Sequence, residues 1–381
     1  MLSCRCLSLK KISLYVHIPF CERKCLYCDF LSFSASAQTK KEYVKALVRQ
    51  IKKASPDYKD CQVITIFFGG GTPSVLPGED IIDIMDAIRD NFAVDKSAEV
   101  SIEINPGTSY DLASYKAAGI TRLSIGLQSA DDTELQKLGR IHRSKDFEIL
   151  YDQVLSSGFN NVNVDLMSGI PGQTLSSYER SLRYLADNTN RPRPTHISAY
   201  SLSVEEGTPF STIKLDLPDE DTEREMYKIT SDILSQNGYG HYEISNYSLE
   251  GYECKHNMVY WRRGNYLGLG LGASSMVDNV RWKNTDNIED FIKKDDFEKK
   301  NIERLSIEDQ MEEFMFLGLR LRDGVSIDGF REYFNAPMPS KYEQVIAKYI
   351  SLGLLKKERN CVMLTQDGIN VSNMVMSEFI F

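Results

Sequence analysis

Three cysteines, Cys21, Cys25 and Cys28, stand in the run Tyr15-Val-His-Ile-Pro-Phe-Cys21-Glu-Arg-Lys-Cys25-Leu-Tyr-Cys28-Asp29-Phe30. Their C-x3-C-x2-C spacing follows an apolar stretch that reads as a strand. Thiolates are soft ligands that suit iron–sulfur clusters and zinc. A [4Fe–4S] cube takes four of them when the protein supplies every corner. Three close cysteines without a fourth nearby leave one iron open to an exogenous ligand, as a cluster that binds and cleaves S-adenosylmethionine requires. Such chemistry resides in the cofactor, which the protein orients and shields. Three other readings compete. A closed structural zinc site wants four ligands, commonly as two pairs, and His17, on the strand itself, is too close in sequence to be a natural fourth. A disulfide framework implies export, for which nothing else in the chain speaks. Unrelated buried cysteines would not be expected to cluster so tightly.

The elements that must position the trio are legible in an alternation of short apolar runs with amphipathic ones. Strand candidates are 13–18, 63–68, 100–105, 122–126, 162–166 and 196–200. Helical patterns fall between them, at 40–53, 80–91, 111–118, 133–138, 146–156 and 177–186, with a seventh at 221–237. In the first, Tyr43, Ala46, Leu47 and Ile51 share one face. Strands alternating with helices predict parallel strands joined by right-handed crossovers. Six such units give an α/β fold, a partial (β/α)6 barrel shorter than the eightfold one. The expected organisation is a tail over 1–11, the barrel over 12–245, a glycine-rich and aromatic region with a linker over 246–300, and a small α+β domain over 301–381. Within these, 289–306 is dense in charge and reads as a solvated linker or helix face. Helical patterns at 308–322, 326–334 and 341–352, then a hairpin pattern over 353–364 turning at 358–360, predict a winged-helix-like C-terminal domain.

Ligands of parallel α/β folds sit at the carboxyl ends of the strands, and polar groups recur there. The second strand runs into Gly69-Gly70-Gly71-Thr72-Pro73, whose glycines permit close backbone approach and expose amide donors. Glu103 and Gln128 end the third and fourth strands, Arg140 follows in Leu-Gly-Arg-Ile-His, and Asn163 and Asp165 lie on the fifth. A carboxylate such as Glu103 among apolar neighbours is rarely buried unpaired, and an arginine such as Arg140 suits a carboxylate clamp. Farther on, Cys254-Lys-His256-Asn-Met-Val-Tyr260-Trp261 offers an imidazole beside aromatic rings. His256 is the candidate axial ligand for haem iron; the competing reading is a histidine satisfied within the core.

Composition bounds the rest. The chain has 381 residues, 42% hydrophobic and 26% charged, with a net charge of −9. That is ample for a large core and a second small domain. No global basic field favours nucleic acid or an anionic membrane. The other cysteines, Cys4, Cys6, Cys61, Cys254 and Cys361, are dispersed, with Cys4 and Cys6 in the short tail. The N-terminal run lacks the apolar core of a signal peptide, and no stretch of about 18 apolar residues predicts a membrane span. A reducing cytoplasm is the expected location.

Taken together, YVHIPFCERKCLYCDF, FFGGGTPSVL, EINPGT, RLSIGLQS, LGRIH, NVDLMSGIPGQT and YEISNYSLEGYECKHNMVYW resemble the radical S-adenosylmethionine family related to oxygen-independent coproporphyrinogen III dehydrogenase. The resemblance spans nearly the whole chain and is closest to the haem chaperone branch. The dehydrogenases carry a fourth cysteine where Phe30 stands here, and a longer segment before the cysteines. HNMVYW, from His256, is similar to the branch's HNxxYW signature. The resemblance implies a radical-SAM barrel with a [4Fe–4S] cluster on Cys21, Cys25 and Cys28, and S-adenosylmethionine on the fourth iron. It places Tyr15 and Tyr27 beside that cofactor, Gly70, Gly71 and Thr72 against its methionine part, and Glu103, Gln128, Arg140 and Asp165 along the remainder. It further implies haem as cargo and an acceptor protein, such as a membrane respiratory enzyme, as partner. The implied alternative is decarboxylation of two propionates of coproporphyrinogen III by a 5′-deoxyadenosyl radical. A radical enzyme acting on another substrate, tRNA included, is disfavoured by the acidic charge.

Overall fold

A computed structural model describes residues 9–189 and 191–381; Cys4 and Cys6 lie outside them. The first half is a run of alternating units: β1 (Lys10–Ile18), α1 (Ala37–Ala54), β2 (Cys61–Gly70), α2 (Gly78–Asn91), β3 (Ala93–Ile104), α3 (Leu112–Ala117) and β4 (Arg122–Gln128). It continues with α4 (Asp132–Lys137), α5 (Ser144–Ser156), β5 (Val162–Ser168), α6 (Leu175–Ala186), β6 (His196–Ser201) and α7 (Glu220–Gln236). Strands β1 to β6 pair in sequence order and in parallel. The period of two decides what each face does. On β1, Ile12, Leu14, Val16 and Ile18 are fully buried in one apolar core with Tyr43, Leu47 and Ile51 of α1. The alternate residues carry polar groups, which bond across the strands. Thr65 Oγ1 lies 2.7 Å from Ser13 Oγ, and Asn163 Nδ2 donates to Ser124 Oγ at 2.8 Å. Helix starts are capped where the sequence supplies a short acceptor: Ser36 Oγ accepts from the Thr39 amide, and Thr174 and Ser177 cap each other at α6.

The predicted units are present, with boundary shifts. β3 starts at Ala93 because a register shift lets Ala93 and Val94 pair with Gln62 and Val63 before the main ladder resumes at Glu99. The larger difference lies beyond α7. The region read as glycine-rich and aromatic, with the residues just before it, holds β7 (Gly240–Glu243), β8 (Asn246–Ser248), α8 (Lys255–Trp261), β9 (Tyr266–Leu269), β10 (Ser274–Val277) and β11 (Val280–Asn284). The charged stretch read as a linker or helix face contains α9 (Ile288–Lys293) and β12 (Lys299–Arg304). The strands β7 to β12 all join β1 to β6 in one twelve-stranded sheet, in the order β12-β11-β10-β9-β1-β2-β3-β4-β5-β6-β8-β7. β9 runs parallel to β1 and occupies its outer edge, so the open side of the partial barrel is continued by strands instead of being left unpaired. β12 escapes a pattern search because it is exposed on both faces and shows no apolar alternation.

The C-terminal part comprises α10 (Ile307–Gly318), β13 (Val325–Ser326), α11 (Ile327–Phe334), α12 (Ser340–Ser351), the hairpin β14 (Leu355–Glu358) and β15 (Cys361–Leu364), then α13 (Gln366–Asn370) and α14 (Ser372–Ser377). The predicted hairpin forms, with Arg359 and Asn360 at positive φ in its turn, and β13 adds a third strand to a separate sheet. This part has its own apolar core around Phe330, Tyr342, Val362 and Phe379. It is tied to the large sheet by backbone bonds from Ile244 N to Arg320 O and from Arg322 N to Tyr242 O. A buried ion pair adds to the joint: Arg263 Nε donates to Glu313 Oε2 at 2.9 Å, with side chains 1% and 8% exposed, and Arg281 reaches the other carboxylate oxygen. Removing one partner of such a pair strands the other. Glu313→Ala should lower the unfolding free energy by about 3–5 kcal/mol, whereas Arg281→Ala, at a half-open position, should cost about 1 kcal/mol or less. Urea denaturation of the two variants separates these outcomes.

Candidate functional site

The loop leaving β1 carries the cysteines and is held from three sides. Cys21 N donates to Phe33 O, and Phe33 N donates back to Pro19 O. Leu26 N donates to Leu138 O, and Leu26 O accepts from Phe210 N. Leu26 and Tyr27 pack on a small apolar cluster of Leu138, Met167, Ile170 and Phe210. The third side is the glycine turn after β2: Gly71 N donates to Ile18 O and Thr72 N to Phe20 O, both at 2.8 Å. That approach requires glycine. A methyl group on Gly71 would stand 2.5 Å from Phe20 O, and Gly70, at φ 114°, has the His17 ring against its α-carbon. His17 is itself engaged, with Nε2 against Leu31 O and Nδ1 against Tyr15 OH.

One cavity at the carboxyl ends of the strands is lined by Cys21, Cys25, Tyr27, Cys28, Gly70, Gly71, Thr72, Glu103, Gln128, Arg140 and Asp165. The three thiols are free and partly exposed, and burial raises the pKa of Cys28. Among the described residues, no three His, Cys, Asp or Glu side chains converge as ligands of a single ion would. The corners of a cube demand no such convergence, because each thiolate meets its own iron.

The polar groups of the cavity form a chain. Gly70 N donates to Glu103 Oε2 at 3.2 Å, and Asn105 Nδ2 donates to Thr72 Oγ1 at 2.8 Å. Arg140 reaches Asn105 Oδ1 and Gly126 O, both at 3.2 Å, while its buried Nε has no partner among the described residues. Gln128 has φ 73° at the end of β4, a strained setting for a non-glycine residue, and its side-chain oxygen accepts from Tyr200 OH at 2.7 Å. Burial, then the nearby Asp165 carboxylate, pushes Glu103 up to about 8, against the pull of the Gly70 amide and Arg122. Burial also raises Asp165, which accepts from Asn163 Nδ2 at 2.7 Å. Carboxylates, an arginine with an unused donor, an amide and a glycine cradle beside three thiols fit an amino acid joined to a nucleoside. Asn105 and Tyr200 complete the set; both stand at predicted strand ends, which was the available signal. Phe30 lies at the same cavity and is 63% exposed.

Tyr15 and His256 do not line this cavity. Tyr15 packs beneath the glycine turn, its ring stacked on Phe67 with centroids 6.4 Å apart. His256, on α8, projects into the sheet interior, 5.2 Å from Phe67 by ring centroids. Its Nδ1 lies 2.8 Å from Thr65 Oγ1 and its Nε2 2.8 Å from Tyr260 OH, so both nitrogens are engaged in a residue only 1% exposed. Glu99, buried on β3, accepts from the amides of Lys255 and His256 and holds the start of the helix there.

Residues 15–185 match the radical SAM superfamily and residues 305–371 the HemN C-terminal domain. The heme chaperone HemW of Lactococcus lactis is 33% identical over 378 residues, covering 97% of this chain and 98% of the relative. The Bacillus subtilis protein of the same name is 36% identical, covering 97% and 99%. The chain belongs to the HemW family. Membership implies a [4Fe–4S] cluster and S-adenosylmethionine. The coproporphyrinogen III oxidase HemN of Escherichia coli has the same fold, with a TM-score of 0.85 over 98% of this HemW-family chain and 91% of HemN, at 22% identity. Among the described residues no helix is long and apolar enough to cross a membrane.

Two predictions follow from this geometry. Gly71→Ala should push the backbone of the cysteine loop away from β2, lowering iron and sulfide content after anaerobic reconstitution while far-ultraviolet circular dichroism stays near wild type. For Glu103, the folded state keeps its proton up to about pH 8, whereas the ordinary value is 4.5. The folded state therefore binds more protons across that interval, and stability falls as pH rises through it, by up to about 1.4 kcal/mol per unit. Glu103→Gln should flatten that slope between pH 5 and 8, read as melting temperature against pH on the cofactor-free protein.

Proposed function

We propose that this chain is a haem chaperone, which binds haem and passes it to an acceptor protein. The observation that carries the reading is identity of 33–36% over almost the full length of relatives named heme chaperone HemW. Phe30, where a fourth cysteine would distinguish the dehydrogenases, supports the same branch. In this reading Cys21, Cys25 and Cys28 hold three corners of the cluster. Gly70, Gly71 and Thr72 receive the methionine part of S-adenosylmethionine, Tyr27 flanks it, and Glu103, Gln128, Arg140 and Asp165 line the rest. Tyr15 acts through the glycine turn that it underlies. When bound, the cluster and S-adenosylmethionine supply reductive cleavage of the sulfonium. The chain's own contribution is to offer the unused Arg140 donor to that remainder and to keep Glu103 as a protonated, donating carboxyl near neutral pH. His256 can serve as an iron ligand only if its bonds to Thr65 and Tyr260 open. A membrane respiratory enzyme is the kind of acceptor expected, reached from a reducing cytoplasm that preserves the thiolates.

The oxidase reading rests on the fold shared with HemN. Haem added to the reconstituted protein should give a saturable Soret shift, and anaerobic incubation with coproporphyrinogen III, S-adenosylmethionine and a reductant should give no protoporphyrinogen IX. Turnover without a Soret shift would replace the chaperone by the oxidase. Cys25→Ser should abolish the brown absorbance of the cluster; full retention of iron would overturn the ligand assignment.

A further inference from the structure

A cavity of about 900 Å³ lies at the opposite end of the strands from the cysteines. It is bounded by Lys11 near the start of β1, by His241 on β7, by Gly264 and Asn265 just before β9, and by Arg322 after α10. A further wall is one face of α8 and its C-cap: Lys255, Met258, Val259 and Arg262, spaced three and four residues apart. The volume is at the upper end of the usual range for small-ligand sites, about 300–1,000 Å³.

The lining brings together two chemistries. His241 and Met258, an imidazole and a thioether, are the residue types that ligate haem iron. The His241 Nε2 contacts are long, 3.4 Å to Tyr227 OH and 3.3 Å to Ile244 O, and its ring is steadied by stacking on Tyr247 at 4.2 Å. Burial, then the Arg322 charge, lowers its pKa to about 4, so the ring is neutral near pH 7, the form that binds a metal. The second chemistry is cationic. None of Lys11, Lys255, Arg262 and Arg322 is ion-paired among the described residues, although Glu250, Glu253 and Asp323 also line the cleft. The Nη1 of Arg322 is buried and has no hydrogen-bond partner.

We propose that this cleft is the haem seat: a planar tetrapyrrole dicarboxylate lies against α8, its iron facing His241 and Met258 and its carboxylates facing Lys11, Lys255, Arg262 and Arg322. The assignment deepens the chaperone reading and rests on it. It sets the cargo at the end of β1 opposite to the cysteines. α8 also links the two ends, since its His256 and Tyr260 face the sheet interior while its Met258 faces the cleft.

The test uses the full chain with its cluster reconstituted, and haem and iron-free protoporphyrin IX as probes. Wild type, His241→Ala, Met258→Leu, His256→Ala and the double variant Lys255→Glu/Arg262→Glu are compared. Cluster absorbance reports folding and should be unchanged in the cleft variants. His241→Ala or Met258→Leu should alter the Soret maximum and the electron paramagnetic resonance signature of bound ferric haem. The charge-reversed variant should weaken protoporphyrin IX binding about tenfold or more, a carboxylate contact being a charge-assisted one. His256→Ala should lower affinity without changing the iron signature. Haem and protoporphyrin binding that are unchanged in all three cleft variants would overturn the seat while leaving the chaperone reading standing. So would an iron signature altered only in His256→Ala. A wild-type protein that binds no haem overturns the chaperone reading and the seat with it.

Discussion

Two backbone hydrogen bonds, from Gly71 to Ile18 and from Thr72 to Phe20, are the constraint on which the site depends. They extend the β1–β2 ladder past the end of the sheet, so the strand leaving β1 cannot lift away before it delivers Cys21. A side chain at Gly71 would break that contact, since its first carbon would stand 2.5 Å from Phe20 O. The same turn then presents the Gly70 amide to Glu103 and the Thr72 hydroxyl to Asn105, so one backbone feature sets the position of the thiols and of the polar groups around them.

The interior of the sheet poses an opposite problem. Its inward-facing residues are polar: Ser13, Thr65, Glu99, Arg122, Asn163 and His196 are all buried. A buried polar group is costly without a partner, and the chain answers by bonding neighbours across strands and by lowering α8 into the interior. Glu99 holds the helix start, and His256 joins Thr65 to Tyr260. The helix thus divides a cavity lined by cysteines from a cleft lined by cations, an imidazole and a thioether. The C-terminal part stabilises this arrangement from outside. Arg320 stacks over Trp261 at the end of α8 at 4.3 Å and reaches Glu243, while Arg263, just beyond the helix, is buried against Glu313 of α10.

The sequence by itself determined the parallel strands and their helices, because period-two and period-3.6 burial is written locally in residues such as Ile12, Leu14, Val16 and Tyr43, Leu47, Ile51. It also determined that the polar strand ends at Gly70, Thr72, Glu103, Gln128 and Asp165 would share one end of the sheet, since parallel topology leaves no other arrangement. The fate of residues 237–304 was decided only by tertiary structure. β7 to β12 are short, and β12 has no buried face, so their pairing comes from edges that β1 and β6 leave open, not from local pattern. The setting of His256 was likewise invisible: whether an imidazole meets iron or a threonine depends on which way α8 turns, and that is fixed by Glu99, more than 150 residues earlier. The cleft that joins Lys11 to Arg322 has no sequence signature at all, because its walls come from four separate stretches of chain that only the folded sheet brings together.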